Sequence, residues 1–531
     1  MMEDGTMTRT RRGYSGLRNL CSRKIEITLL VALFLTFVTS LPLCHDETCI
    51  LKVGAEFLRK ERSKAIGGNI TLNELEQRVD SEILIPMKKM ELKFKTKVDI
   101  QNLSENSLFK FLRKMPKGGD LHIHDIAMVN IEWVVKELTY LPDLYYCITD
   151  GEQILRFIFS EKFPVQEHEC KSKWLSVEEK RKETGSDLFD LMLLGKMTIT
   201  FDRASDPDTT WHRFINSLGP VGDLAYTEKG FRPYFKQALT EAYEDNVLYL
   251  EVRTLLLPLL CDNGTTLDRE ETLRHYIEVT EEFKKENPGF IGAKFILISV
   301  RSLPADVMET DLRLAVTLRQ KYPDYVLGYD IVGYENYGPP HKDLLDVLLI
   351  PSREAIDLPF FFHAGETQKF GSTTDANILY TILLNTTRIG HGFALVKHPD
   401  LLQVVADRGI PIEVPPISNH VLSFVNDLSN HPGVTLFSRN LPIVICSDDP
   451  GSWRTSGLSY DYYAAFLYFT RADDGLRALK EISRNGIKYS AMKENEKRTA
   501  MEVWQQNWDQ FIKSNLQGYE STPESIQHTE L

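Results

Sequence analysis

The chain has no clustered basic surface, no internal repeat, no low-complexity tract and only seven cysteines in 531 residues. Nucleic acid is excluded as the main partner, because phosphate binding needs concentrated Lys and Arg. The formal charge here is −13, with a pI near 5.6. A stable membrane span is not expected, because the apolar run Ile27 to Val38 falls short of the ~20 residues that a spanning helix needs. What remains is ordinary for a soluble globular protein: 42% apolar residues in a chain long enough for a large core and more than one structural unit. A small-molecule substrate fits this composition better than a polyanion.

The short apolar run follows Arg9, Arg11, Arg12, Arg18, Arg23 and Lys24, a basic leader before a hydrophobic segment that reads as a secretory signal over residues 1–40. A signal anchor is the alternative reading. Cleavage is expected near Ser40. Export agrees with four Asn-x-Ser/Thr acceptors, at Asn69, Asn102, Asn263 and Asn385. In an exported chain the cysteines invite pairing. Cys147 and Cys170 bracket a polar stretch and are the preferred pair, and Cys44 with Cys49 would close a small loop. Cys446 reads as a buried free thiol, and Cys261 has no evident partner.

Residues 45–114 carry apolar residues at three- and four-residue intervals between Lys and Glu, the pattern of an N-terminal helical extension. From Leu121 onward, short apolar runs alternate with helical stretches. The runs are Leu121 to His124, Val247 to Val252, Lys294 to Ser299, Val326 to Ile331, Leu358 to His363, Thr387 to Gly390, Ile410 to Val414 and Ile443 to Ser447. Eight such runs predict an α/β fold, a (β/α)8 TIM barrel over 115–515, whose chemistry sits at the C-terminal ends of the strands. The stretch from Asp125 to Asn246 is too long for one βα unit. It predicts an inserted, disulfide-pinned subdomain at 135–194, after the first strand. Residues 516–531 read as a polar tail.

The sharpest local signal is Leu121-His-Ile-His-Asp125. Strand side chains alternate faces, so His122 and His124 aim the same way and form half of a metal site. Three further clusters end apolar runs: Phe361-Phe-His-Ala-Gly-Glu366, Arg388-Ile-Gly-His-Gly392 and Ile443-Val-Ile-Cys-Ser-Asp-Asp449. On a barrel they bring His363 and Asp448 to His122 and His124, a ligand set suited to zinc with room for water. The fourth strand has no lysine to bridge a second metal, so one Zn2+ per chain is expected. Hydrolysis at such a site needs a base and an acid, and His391 and Glu366 are placed for these roles. Asp449 would hydrogen-bond a heterocycle or cap the following helix.

These residues, together with Met115-Pro-Lys-Gly118, Tyr243-Glu-Asp-Asn-Val-Leu-Tyr249, Pro416-Ile-Ser-Asn419 and Ser447-Asp-Asp-Pro450, resemble the adenosine deaminase superfamily, and within it the secreted adenosine deaminase-related growth factors. The likeness runs from about residue 45 to 515. It implies hydrolytic deamination of adenosine, and of 2′-deoxyadenosine, to the inosine product and ammonia, with zinc on His122, His124, His363 and Asp448. It further implies that Glu366 protonates purine N1, that His391 orients and deprotonates the water, that Asp449 contacts N7 and that the Gly333 amide contacts N3. Asp125 and Trp211 resemble ribose-contacting elements, although core burial explains a tryptophan equally well. The extension resembles the branch's homodimerisation region. The insertion resembles its binding region for a cell-surface receptor or glycosaminoglycan.

Val300, Tyr334 and Pro415 depart from the family pattern at the substrate rim, away from the metal ligands. A growth-factor scaffold without catalysis is the rival reading, because fold alone does not fix function. Intact ligands, acid and base weigh against it. A nucleotide substrate would want a cationic clamp, which the motifs lack. Deaminases of the cytidine type use a Pro-Cys-x-x-Cys ligand set that is absent here.

Overall fold

Eight parallel strands form the centre of the protein, and each falls on one of the apolar runs: β1 (Gly118–His124), β2 (Val247–Thr254), β3 (Gly292–Val300), β4 (Val326–Val332), β5 (His363–Ala364), β6 (Ile389–His391), β7 (Ile412–Val414) and β8 (Ile443–Ile445). The computed structural model describes residues 42–94, 103–149, 154–162, 164, 170 and 174–521. The signal segment, the Asn102 acceptor and residues 522–531 lie outside the described residues.

Strands β1 to β4 hydrogen-bond in sequence order, as do β5 to β8. Single parallel bridges, Tyr329 to Phe360 and Ile123 to Asp448, join the two ladders into a barrel. At the second seam the His124 amide donates to the Asp448 carbonyl at 3.0 Å, and the Asp448 amide donates to the His122 carbonyl at 2.9 Å. The strands are buried along nearly their whole length, as strands with helices outside and side chains inside must be. That burial explains why they read as continuous apolar runs rather than alternating ones.

Between β1 and β2 the chain carries further helices and a small antiparallel sheet. Strands Leu144–Ile148, Leu155–Phe159 and Leu175–Ser176 form an antiparallel sheet with the first in the middle. Cys147 and Cys170 are disulfide-bonded and buried with Trp174, their Cα atoms 6.2 Å apart. Arg181 ties the following helices back, donating to the Thr139 carbonyl at 3.0 Å and to Asp190 at 2.8 Å. Helix Pro207–Ala225 then starts on an Asp206 cap that accepts the Thr209 amide at 2.9 Å, with proline in its first turn.

The extension read over 45–114 consists of two different things. Helix Glu47–Lys64, whose first turn is tied to Cys44 through Cys49, buries none of its residues, and all but its last residue fall in a separate unit ending at Ser63. The chain from Lys64 onward belongs with the barrel. There Ile66, Leu72, Val79, Ile83 and Leu84 are core residues. The buried Glu76 accepts the Trp508 indole N–H at 2.7 Å, and the Lys88 ammonium donates to the Arg471 and Asp474 carbonyls at 2.6 and 2.9 Å. The C-terminal helix Glu494–Ser521 packs Trp504, Trp508 and Leu516 inward, so the start of the segment read as a polar tail is helical and partly core. Among the described residues no helix is long and apolar enough to cross a membrane.

Candidate metal centre and substrate cavity

His122 and His124 leave the end of β1, His363 lies on β5, and Asp448 follows β8. One ligand atom from each lies within 4.8 Å of the other three. Two of the imidazoles are held from behind by carboxylates: Glu413 of β7 lies 2.7 Å from His122 Nδ1, and Asp330 of β4 lies 2.6 Å from His363 Nδ1. A carboxylate on Nδ1 fixes the tautomer and turns the Nε2 lone pair into the site. The buried Nε2 of His122 has no hydrogen-bond partner in the protein. Leaving such an atom unsatisfied costs about 1–3 kcal/mol, which a metal ion would relieve. Burial lowers the pKa of His124, and that of His363 to about 4, so both are neutral, as ligands must be. Three imidazoles, two of them aimed by carboxylates, and the Asp448 carboxylate fit a divalent metal.

Under the ligands lies a buried lattice of charge. Glu413 also accepts Arg253 Nη2 at 2.7 Å and Arg388 Nε at 2.6 Å. Arg253 Nε donates to Asp330 at 2.8 Å, and Arg388 Nη2 to Glu251 at 2.5 Å. All five side chains are fully buried.

Above the ligands is a cavity of about 270 Å³ lined by His124, His363, His391, Glu366, Asp448 and Asp449 on one side. The other side is apolar: Trp211, Phe214, Ile215 and Leu218 from helix Pro207–Ala225, and Val300, Val332 and Gly333 from the strand ends. None of the lining residues is a lysine or an arginine. A larger cavity, 690 Å³, lies under the inserted sheet between Phe157, Trp174 and Leu260, but it contains none of the candidate metal or acid–base residues.

Glu366 is buried, and its Oε1 lies 3.5 Å from His391 Nδ1 with no hydrogen-bond partner. Burial, the Asp448 charge and the Glu335 charge together push its pKa well above the usual carboxylate range. Its backbone is pinned, because Glu335 accepts the amides of Gly365 and Glu366 at 3.2 and 2.7 Å. Gly365 has φ +77°, and a Cβ there would meet the Ile378 side chain at 2.6 Å, so the turn that swings Glu366 over His363 requires glycine. His391 and Asp448 adopt left-handed backbone conformations, φ 61° and 63°, which are uncommon for such residues and turn both side chains into the barrel mouth. Asn419 Nδ2 donates to His391 Nδ1 at 3.2 Å. Burial and Asp448 raise the pKa of Asp449.

Asp125 lines the same cavity, and its carboxylate accepts the Tyr226 hydroxyl and, at 3.2 Å, the Tyr276 hydroxyl. Trp211 is half-buried and stacks on Tyr334, with centroids 5.1 Å apart and planes 18° apart. Among the departures from the family pattern, Val300 lines the wall and Tyr334 backs Trp211. The structure thus gathers every candidate metal, acid–base and substrate residue at one end of the barrel. The acceptors Asn69, Asn263 and Asn385 are exposed on the surface. Sequence reasoning missed Asp330, Glu413 and Glu335. Each is an acid in or beside an apolar strand, and that misplacement was the available signal.

The family model described as Adenosine deaminase matches residues 197–506. The protein named adenosine deaminase 2 of Homo sapiens is 39% identical over 500 residues, spanning 91% of this chain and 96% of its own length. A protein named adenosine deaminase from the sand fly Phlebotomus duboscqi is 38% identical over 490 residues, spanning 88% and 93%. An Arabidopsis N6-mAMP deaminase of known structure shares the fold, with a TM-score of 0.53 and 17% identity over 75% of this chain and 99% of its own. With the match extending over nearly the whole chain and the motifs meeting at one cavity, the protein belongs to the adenosine deaminase family.

Proposed function

We propose that the protein is a zinc hydrolase that converts adenosine, and 2′-deoxyadenosine, to the inosine product and ammonia outside the cell. The observation that carries this reading is the cavity itself, in which a metal-binding quartet faces a buried, high-pKa carboxyl across a space of about 270 Å³ with an apolar opposite wall. His122, His124, His363 and Asp448 would hold one Zn2+, which when bound acidifies water toward neutral pH. Glu366 keeps its proton at neutral pH and gives it to purine N1, drawing electron density from C6. His391 faces the attacking water. Asp449 contacts N7, the Gly333 amide contacts N3, and Asp125 and Trp211 lie at the ribose end. A cavity without lysine or arginine, bordered by four carboxyl groups, favours a nucleoside over a nucleotide.

Export rests on the basic leader with its apolar run, on the two disulfides and on the exposed asparagine acceptors. The growth-factor role that the resemblance implies would fall to the inserted subdomain, with a receptor or glycosaminoglycan as its partner, and homodimerisation to helix Glu47–Lys64. The catalytic reading is tested by following the ultraviolet change from adenosine to inosine with purified protein, before and after chelation, alongside metal analysis. Turnover that chelation abolishes and zinc restores, with one zinc per chain, is expected. Turnover insensitive to chelation, or two tightly held metals, would overturn it.

A further inference from the structure

Behind His391 runs a chain of hydrogen bonds that none of the roles above uses. The Gly433 amide donates to His431 Nδ1 at 2.8 Å, His431 Nε2 lies 2.9 Å from Asn419 Oδ1, and Asn419 Nδ2 lies 3.2 Å from His391 Nδ1. All three side chains are buried, and His431 stacks on Phe469 with centroids 4.6 Å apart. The direction of the chain follows from its first link. A backbone N–H can only donate, so His431 Nδ1 must offer a lone pair, and a neutral His431 then carries its proton on Nε2. That proton points at Asn419 and requires the amide oxygen there. The NH2 end of Asn419 is thereby turned to His391 Nδ1, which must accept. A neutral His391 therefore carries its proton on Nε2, the nitrogen that faces the site and lies 3.9 Å from Asp448 Oδ2.

We propose that His431 and Asn419 are positioning residues that lock His391 in its Nε2–H form, so that it presents a donor rather than a lone pair to the reacting water. Its part is then to orient the water oxygen and to stabilise charge developing on it, and not to take the water's proton. This deepens the deaminase reading and rests on its placement of His391 at the water.

The test has a spectroscopic arm and a kinetic arm. Protein labelled with 15N-histidine and loaded with zinc is compared with His391→Gln to identify the His391 signals. An unprotonated Nδ1 and a protonated Nε2 are expected in wild type, and protonation of Nδ1 in Asn419→Asp, whose carboxylate can only accept. In the kinetic arm Asn419→Asp should lose on the order of 10²-fold in kcat with KM and zinc content held. His431→Gln can still donate to Asn419 Oδ1 and should retain far more activity than His431→Leu of equal thermal stability. A wild-type His391 protonated on Nδ1, or equal activity in the two His431 variants, overturns the proposal. If wild type does not turn over adenosine, the functional reading fails, and the 15N measurement still decides the relay.

Discussion

Replacing Glu413 with glutamine separates what holds the metal ligands from what holds the barrel. Its two oxygens serve three donors: Oε2 takes His122 Nδ1 and Arg253 Nη2, both at 2.7 Å, and Oε1 takes Arg388 Nε at 2.6 Å. A glutamine has one oxygen, so whichever way it turns an NH2 group meets a donor, and the buried guanidinium groups lose a full counter-charge. Breaking a buried pair costs about 3–5 kcal/mol. The lower end is expected here, because Arg253 keeps Asp330 and Arg388 keeps Glu251. Separately, His122 loses the partner that aims its Nε2. Removing such a support lowers metal affinity about 10- to 100-fold, or about 1.4–2.7 kcal/mol. Urea unfolding of the metal-free protein reads the first effect, and zinc competition against a chromophoric chelator reads the second. Glu251→Gln supplies the control: it touches Arg388, Tyr249 and the Ala491 amide but no ligand, so it should lose stability and keep zinc affinity. Equal zinc affinity in wild type and Glu413→Gln would refute the claim that this carboxylate orients His122.

Glu366→Gln keeps the side chain's shape and removes its proton, so kcat should fall about 10²- to 10⁴-fold with zinc content unchanged. Near-wild-type turnover would place the acid elsewhere. Peptide mapping of the purified protein without reductant should recover Cys147 cross-linked to Cys170, and free thiols at both positions would contradict the structure. Removing residues through Lys64 should convert a dimer to a monomer by light scattering, because helix Glu47–Lys64 leaves Ile50, Leu51, Phe57 and Leu58 exposed. A full-length monomer at micromolar concentration would refute that role. Burial holds His431 down to about 3, below its ordinary 6.5, so the unfolded chain gains a proton on acidification before the folded one does. Stability of the metal-free protein should therefore fall by about 1.4 kcal/mol per pH unit from this group below about pH 6, a slope that His431→Gln removes. Unfolding curves at two acid pH values with the same slope in both proteins would show that His431 is not buried neutral.

The barrel was legible because a parallel strand is buried on both faces and announces itself as an apolar run. The site was legible because its polar residues punctuate the ends of those runs. Asp330 and Glu413 sat in plain view inside Val326–Val332 and Ile412–Val414. A carboxylate in such a strand signals a buried partner, but its identity is a matter of which strands lie next to each other, which one chain's periodicity does not encode. The same limit explains the extension. Residues 47–64 and 75–92 share a helical apolar rhythm, yet one buries nothing and the other supplies core residues, because periodicity reports the face and not what covers it.

The placement of the ligands has a mechanical consequence that ties the chemistry to the fold. The barrel is two four-stranded ladders, and each of the seams between them carries a single parallel bridge. His122 and His124 belong to the first ladder, whereas His363 and Asp448 belong to or follow strands of the second. Asp448 itself forms the bridge to Ile123 at the seam. An ion held by this set would therefore join the two halves where their backbone pairing is sparsest, and its binding energy would add to the stability of the closed barrel. The charge lattice beneath works in the same direction, because Arg253 of β2 reaches Asp330 of β4 and Glu413 of β7, and Arg388 beside β6 reaches Glu251 of β2. These contacts cross the barrel interior instead of following its wall. The geometry that aims three imidazoles at one point is thus maintained by side chains that also hold the ladders together, which is why substitutions at the two lattice carboxylates that touch an imidazole, Glu413 and Asp330, should register in both metal affinity and unfolding.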